Sequence, residues 1–301
     1  MNKLILVTGA TGMIGSKLTK KLSELGYSVA SISRNSSKSK SMLPWCEHHI
    51  DYNNKEELGN FISKSYGVIN LAGASIADKK WTSEYKKEII DSRVNSTKMI
   101  IEAINLSQNK PKVLINGSAI GIYGNTLDKE IDEKSPSGDG FLADATIRWE
   151  NEARRLNSNV RLVLARIGVV LDIKGGALEK MILPFKLFVG GPIGSGQQWL
   201  SWIHIDDLVS LFIWTLESQV SGAVNFTSPN PSRMKDFASD LGKVLSRPSL
   251  FPVPEFMLKI ILGESAAMVT NSNKVLPKVA LDNNFKFKYD NLHLALKSIL
   301  G

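Results

Sequence analysis

The chain has 301 residues, 43% of them hydrophobic and 22% charged, enough for one large α/β body with a sizeable core. Its 37 basic residues outnumber 29 acidic ones for a net charge of +8, but they are scattered and have no aromatic platform among them, so a solvated basic surface is expected and a nucleic-acid partner is not. The single cysteine, Cys46, excludes an intrachain disulfide and a multi-thiol metal site. No apolar run reaches the roughly 18 residues of a membrane span, and the N-terminus reads as strand rather than signal region, so a cytoplasmic protein without membrane or metal is expected.

The first predicted element is the apolar run Lys3–Thr8, of strand length. Gly9-Ala10-Thr11-Gly12-Met13-Ile14-Gly15 follows, then a helical pattern over Met13–Leu25 with Ile14, Leu18, Leu22 and Leu25 on one face. A strand that turns through closely spaced glycines into a helix is a phosphate-binding device. Gly9, Gly12 and Gly15 let the backbone turn tightly and come close to a ligand, and the backbone amides of Thr11, Gly12, Met13 and Ile14 are expected to meet a pyrophosphate.

The second strand, Ser28–Ser33, ends in Ser31-Ile32-Ser33-Arg34-Asn35. NAD-binding proteins place a carboxylate at this strand end for the ribose 2′-hydroxyl, and this chain has none. Arg34 can hold a 2′-phosphate bidentately and stack on adenine, with Ser33 adding a contact, so NADP(H) is expected over NAD(H). The competing reading is that Arg34 only begins a polar loop.

Further strands are expected near His48–Ile50 and over Gly67–Leu71, Val113–Ser118 and Val160–Ile167, with helices over Ser83–Leu106 and Ala143–Leu156. This alternation predicts a Rossmann-like, doubly wound parallel sheet with helices on both faces. Beyond Ile167, residues 172–205 are glycine-rich. A helix (His204–Leu216), a strand (Ala223–Thr227) and three helical patterns (Arg233–Leu245, Pro254–Leu262, Leu292–Leu300) complete the chain. Residues 1–171 with 204–228 are therefore assigned to the dinucleotide-binding domain. Residues 172–203 with 229–301 form a smaller C-terminal substrate lobe, where Lys186, Gln197, Gln198, Trp199 and Trp202 are candidates to line a pocket. In His204-x-Asp206-Asp207, an aspartate N-cap for the following helix is favoured over a catalytic or metal role.

Several segments resemble the short-chain dehydrogenase/reductase superfamily in its extended and atypical branches. They are the glycine turn, Leu71-Ala72-Gly73, and Asn116-Gly117-Ser118-Ala119 with Tyr123-Gly124. Phe141-Leu142-Ala143, Trp149-Glu150, Arg166-Ile167-Gly168, Gly190-Gly191-Pro192 and Ser201-Trp202-Ile203-His204 narrow the likeness to the "epimerase family protein" subgroup. The tail around Pro252-Val253-Pro254 resembles that subgroup's own C-terminal domain. The resemblance implies that Asp51 lies near the adenine, Leu71, Ala72 and Gly73 along the cofactor edge, and Ile167 and Gly168 near the nicotinamide. It implies a homodimer through the two long helices, and an enzyme acting on a small carbonyl or hydroxyl metabolite, a sugar or sugar nucleotide among the candidates.

The superfamily's chemistry uses a Ser, a Tyr and a Lys four residues after the Tyr, the lysine tuning the phenol. Ser118 stands at the serine position, but no Tyr-x-x-x-Lys follows. If Glu152 is the acid that often trails that motif, Asp144 replaces the tyrosine and Arg148 the lysine, and Arg148 can hold a ribose or phosphate without tuning an acid. Tyr123 is then the nearest phenol, and Ser118 with Tyr123 are the catalytic candidates. Structural packing of Tyr123 stays equally open, as does a catalytically weak protein that senses NADP(H).

Overall fold

The computed structural model describes residues 3–157 and 159–301. Seven parallel strands form the central sheet: β1 (Leu4–Thr8), β2 (Ser28–Ser33), β3 (His48–Asp51), β4 (Gly67–Asn70), β5 (Val113–Ala119), β7 (Arg161–Ile167) and β11 (Gly222–Phe226). Their order is β11-β7-β5-β4-β1-β2-β3. The direction of travel reverses between β1 and β4, so the crevice that this topology opens for a ligand lies at the carboxyl ends of those two strands.

The helices between sheet strands are α1 (Met13–Glu24), α2 (Ser36–Met42), α3 (Lys55–Ile62), α4 (Ser83–Leu106), α5 (Phe141–Ala153) and α7 (Ile205–Glu217). Both faces of the sheet are covered, which is why its strands are apolar runs rather than alternating ones. Ile5 and Val7 pack with Leu18 and Leu22 of α1 and Leu208, Leu211 and Phe212 of α7. Leu6 packs on the opposite side with Leu58 of α3 and Ile100, Ile101 and Ile104 of α4.

A second core joins α6 (Gly176–Lys186), α8 (Met234–Leu245) and α12 (Leu292–Leu300) around Phe185, Trp202, Phe237 and Leu296. Short pairs bind this part to the sheet domain: β8 (Val169–Leu171) with β10 (Trp202–His204), and β6 (Glu130–Ile131) with β13 (Lys274–Val275). The strands β9 (Trp199–Leu200) and β12 (Ser232–Arg233) pair antiparallel. The tail does not stay within its expected lobe. Val279, Ala280, Phe285 and Phe287 pack on the sheet-domain core, because α11 (Lys278–Asp282) covers the edge strand β11. Helices α9 (Glu255–Leu262) and α10 (Ala267–Thr270) precede it. Among the described residues, no helix is long and apolar enough to cross a membrane.

Candidate active site

β1 ends at Thr8, and Gly9 takes a positive φ of 64°. A Cβ on Gly9 would lie 2.7 Å from the Leu71 carbonyl carbon, and one on Gly15 would lie 2.3 Å from the Gly9 carbonyl oxygen. Both positions therefore demand a bare backbone. Gly12 is the N-cap of α1, and no side chain caps the helix there. The Gly12 N–H donates to the Gly9 carbonyl at 3.0 Å. The amides of Met13, Ile14 and Gly15 occupy the first helical turn, where no intrahelical acceptor exists. With no acid in that turn, they form an anion cradle at the positive end of the helix. Thr11 is half-buried beside them. These are the features that a dinucleotide pyrophosphate fits.

Strand register then sets Ser33 beside Asp51 at the ends of β2 and β3. The Ser33 hydroxyl is buried without a hydrogen-bond partner among the described residues. Arg34 is exposed at the same edge, and its charge reaches the Tyr52 phenol. Asp51 accepts from the Asn53 amide at 2.8 Å. The Leu71 and Ala72 backbone lies against Gly9, and their amides are spent on Thr8 Oγ1 at 3.0 and 3.1 Å. Gly73 is exposed at the tip of that turn. Ile167 is half-buried on the sheet-domain core, and Gly168 is bare because a Cβ would lie 2.6 Å from the Ser201 carbonyl oxygen.

Two buried polar networks floor the crevice. In the first, Thr8 donates to Asn70 Oδ1 at 2.6 Å, and Asn70 Nδ2 donates to Thr97 and to Asn116 Oδ1 at 2.9 and 2.7 Å. The Trp149 indole donates to Thr97 at 2.9 Å. In the second, Ser118 donates to Glu150 Oε1 at 2.6 Å, and Arg166 donates to both Glu150 oxygens at 2.8 and 3.0 Å. Arg166 also donates to the Tyr123 hydroxyl at 2.9 Å, and Tyr123 donates to Asn225 Oδ1 at 2.7 Å. Burial pushes the Glu150 carboxyl up, but Arg166, Ser118 and Arg154 outweigh it and hold the carboxyl below its ordinary range. Burial raises the Tyr123 phenol to about 12 despite Arg166.

Ser118 and Tyr123 are thus joined through Glu150 and Arg166, and at 2% and 3% exposure both hydroxyls are committed to protein partners. Asn70 and Asn225 have no site role in the sequence reading, and Asn116, Glu150 and Arg166 enter it only as parts of the motifs that carry the resemblance. A polar side chain inside an apolar strand has to find a partner, and that signal marks Asn70, Asn116 and Arg166 in the sequence.

The expectation for Arg148 needs correction. The face of α5 turned inward carries Thr146, Trp149, Glu150 and Ala153, whereas Arg148 and Asp144 are exposed and pair with each other at 3.0 Å. Glu150, not Glu152, is the acid turned toward the sheet. Counting back from it by single turns gives Thr146 and Leu142, so neither an acid–base pair nor Arg148 faces inward from α5. Leu142 packs beside Gly121, and Thr146 donates to the Leu142 carbonyl at 2.7 Å.

The N-cap of α7 also differs from expectation. His204 Nδ1 accepts from the Asp206 amide at 3.0 Å, while Asp207 is buried and accepts from the Lys288 and Tyr289 amides, both at 2.8 Å. Among the pocket candidates, Trp202 is fully buried in the second core, and Gln198 donates to the Ile193 and Val269 carbonyls. Trp199 donates to Asp128 at 3.0 Å. Lys186 and Gln197 are exposed. Trp81, Tyr85 and Ile89, around the start of α4, form a buried apolar cluster with Phe141, Leu142 and Met268. Lys86 on α4 pairs with Glu264, which ties the tail to this part of α4.

Residues 5–143 match the NAD dependent epimerase/dehydratase family, and residues 253–299 match DUF1731, a domain of unknown function. The chain is 43% identical, over 98% of its length and 86% of the relative's, to the Arabidopsis thaliana protein called chloroplastic epimerase family protein SDR39U1 homolog. It is 39% identical to Bacillus subtilis epimerase family protein YfhF, over 99% of this chain and 98% of the relative. Among solved structures, it is similar to human epimerase family protein SDR39U1 with NADPH, at 33% identity and a TM-score of 0.89 over 99% of both chains. A UDP-glucuronic acid 4-epimerase from Bacillus cereus shares the fold alone, at 18% identity and a TM-score of 0.77 over 99% of this chain and 98% of that one. The bare-glycine cradle, the seven-stranded sheet and the matching tail together make this chain a member of the NAD-dependent epimerase/dehydratase family, in its epimerase family protein group with a DUF1731 C-terminal domain.

Proposed function

We propose that the chain is an NADP(H)-dependent oxidoreductase or epimerase-like enzyme acting on a small carbonyl- or hydroxyl-bearing metabolite. The cradle at Gly9, Gly12 and Gly15 would hold the pyrophosphate, and Arg34 and Ser33 the 2′-phosphate. When bound, the dinucleotide supplies or accepts hydride. The observation that carries this reading is Arg34 at the end of β2, a strand end that carries no carboxylate of its own for a ribose 2′-hydroxyl, next to a Ser33 hydroxyl without a partner among the described residues. The NADPH of the human relative supports it. The protein's own contribution is to orient and to exclude water. At neutral pH a phenol titrating near 12 stays protonated, so Tyr123 is not a base and serves at most as a donor within its network. A cytoplasmic location and a homodimer through α4 and α5 belong to the same proposal.

The committed hydroxyls of Ser118 and Tyr123 favour a second reading, an NADP(H)-binding sensor with little turnover. Titration with NADPH and NADH separates the cofactor claim from the catalytic one. Wild type is expected to prefer NADPH. Arg34→Ala should lose about ten- to a hundredfold in NADPH affinity, the worth of charge-assisted bonds of about 1.5–3 kcal/mol, while NADH affinity is unchanged. Equal affinity of wild type for both would refute the assignment of Arg34. Substrate-dependent NADPH oxidation across a carbonyl panel, lowered in Ser118→Ala, supports the enzyme; tight NADPH binding without turnover supports the sensor.

A further inference from the structure

Arg93 is a cation that neither network uses. On α4 it lies one turn from Thr97, toward the carboxyl edge of the sheet, and one turn from Ile89 of the buried apolar cluster. The position is therefore where the polar floor meets that apolar cluster. Its guanidinium carbon sits 5.2 Å from the centre of the Trp149 ring. On the other side is Gly73: a Cβ there would come within 3.1 Å of the Arg93 side chain, so the bare turn makes room for it. Nη1 donates to the Ile89 carbonyl at 3.0 Å, and among the described residues no carboxylate lies within ion-pair distance. By contrast Arg166 and Arg154 both hold Glu150. Burial lowers the Arg93 guanidinium to about 10, which leaves it cationic at neutral pH. Arg93 is half-buried with no anion paired to it among the described residues, and a planar guanidinium backed by an indole is suited to bidentate capture of an oxyanion.

We propose that Arg93 is the receptor for an oxyanion of the substrate, a carboxylate or a phosphate, and so selects acidic metabolites at the floor of the crevice. The inference rests on reading this crevice as the substrate site of a nicotinamide-dependent protein. The same oxyanion chemistry could be offered by the dinucleotide's own pyrophosphate, and the test separates the two sources.

Malonate and inorganic phosphate are titrated by calorimetry into the full-length protein, with and without saturating NADPH, for wild type, Arg93→Met and Arg93→Lys. Wild type with NADPH is expected to bind at least one of the anions. Arg93→Met should weaken that binding about tenfold or more, Arg93→Lys should fall between, and NADPH affinity should change less than about threefold. Two outcomes overturn the proposal: Arg93→Met binds the anions as wild type does, or wild type binds neither. A third also overturns it: Arg93→Met loses NADPH affinity about tenfold, which would give the guanidinium to the cofactor phosphate. Anion binding that depends on Arg93 in a protein that ignores NADPH would sink the dinucleotide reading while leaving the receptor standing. Circular dichroism and thermal melting of each variant keep misfolding from passing as lost binding.

Discussion

Arg166 sits in a strand whose buried neighbours are Val163, Leu164 and Ala165, and among the described residues it connects Ser118, through Glu150, to Tyr123. Glu150 is fully buried and negative, so its charge is tolerable only while cations face it. Arg154 is half exposed and screened by water, which leaves Arg166, at 8% side-chain exposure, as the principal compensation. Arg166→Met should therefore cost about 3–5 kcal/mol by leaving a buried carboxylate without its partner. Urea denaturation would read this as a lowered midpoint at unchanged slope. Adding Glu150→Gln should recover part of the loss, since the uncompensated charge is then gone. If Arg166→Met unfolds with the wild-type midpoint, the pair is not what holds the strand ends. Of these residues only Ser118 and Tyr123 had a role legible in advance, and only by resemblance; Glu150 and Arg166 stood in matching motifs without one. Glu150 and Arg166 lie 16 positions apart, and nothing local to either names the other.

Elements were legible where an apolar period ran long. β1, α1, β2, α4 and β5 fall within a residue or two of expectation because each buries a continuous stripe. The short α2 and α3 escaped notice: α2 reads Ser-Ser-Lys-Ser-Lys-Ser-Met and begins with Asn35 accepting from the Lys38 amide, a capping signal without an apolar face behind it. Helix α6 was hidden by glycines on either side and by Pro184 within it. At α7 the helix was expected but its cap was not, since histidine is an uncommon N-cap. His204 binds the Asp206 amide through Nδ1, contacts Ser298 of α12 through Nε2 at 3.1 Å, and stacks on Tyr289 at 3.8 Å. Nδ1 accepts, so the ring is neutral and Nε2 carries the proton. Burial pushes its titration down to about 4, against an ordinary 6.5. Between those values only the unfolded chain takes up the proton, so stability is full above about pH 6.5 and falls as the pH drops toward 4. The contribution is about 2 kcal/mol by pH 5. His204→Gln should flatten that dependence, seen as a smaller shift in urea midpoint between pH 7 and pH 5 than wild type gives. An equal shift in both proteins would place the acid sensitivity elsewhere.

The tail is matched by a family of its own, DUF1731, yet its side chains do not behave as an appendage. Ser201 Oγ accepts from the Val275 amide at 2.9 Å, and Asn225 Nδ2 donates to the Leu276 carbonyl at 2.9 Å. Glu133 accepts from the amides of both Asn225 and Val279, at 3.0 and 3.2 Å. Asn225 is also the acceptor for Tyr123, so the second polar network reaches the tail through its side chain. Ala280 and Phe285 cover β11, the edge strand that would otherwise stand open on the sheet, and Leu292, Ala295 and Leu296 close the second core. Removing residues 272–301 would strip apolar cover from both cores at once and leave Asp207 without the two amides that it accepts from. A chain ending at Asn271 is therefore expected to lose cooperative unfolding altogether rather than to melt a few degrees lower, as an excised appendage would allow. Calorimetry of the shortened chain decides between the two. A single sharp transition near the full-length Tm would mean that the sheet domain folds on its own and that the tail's contacts are incidental to it. A broad or missing transition, with near-ultraviolet dichroism lost, would mean that the crevice exists only once the last thirty residues have returned to the sheet.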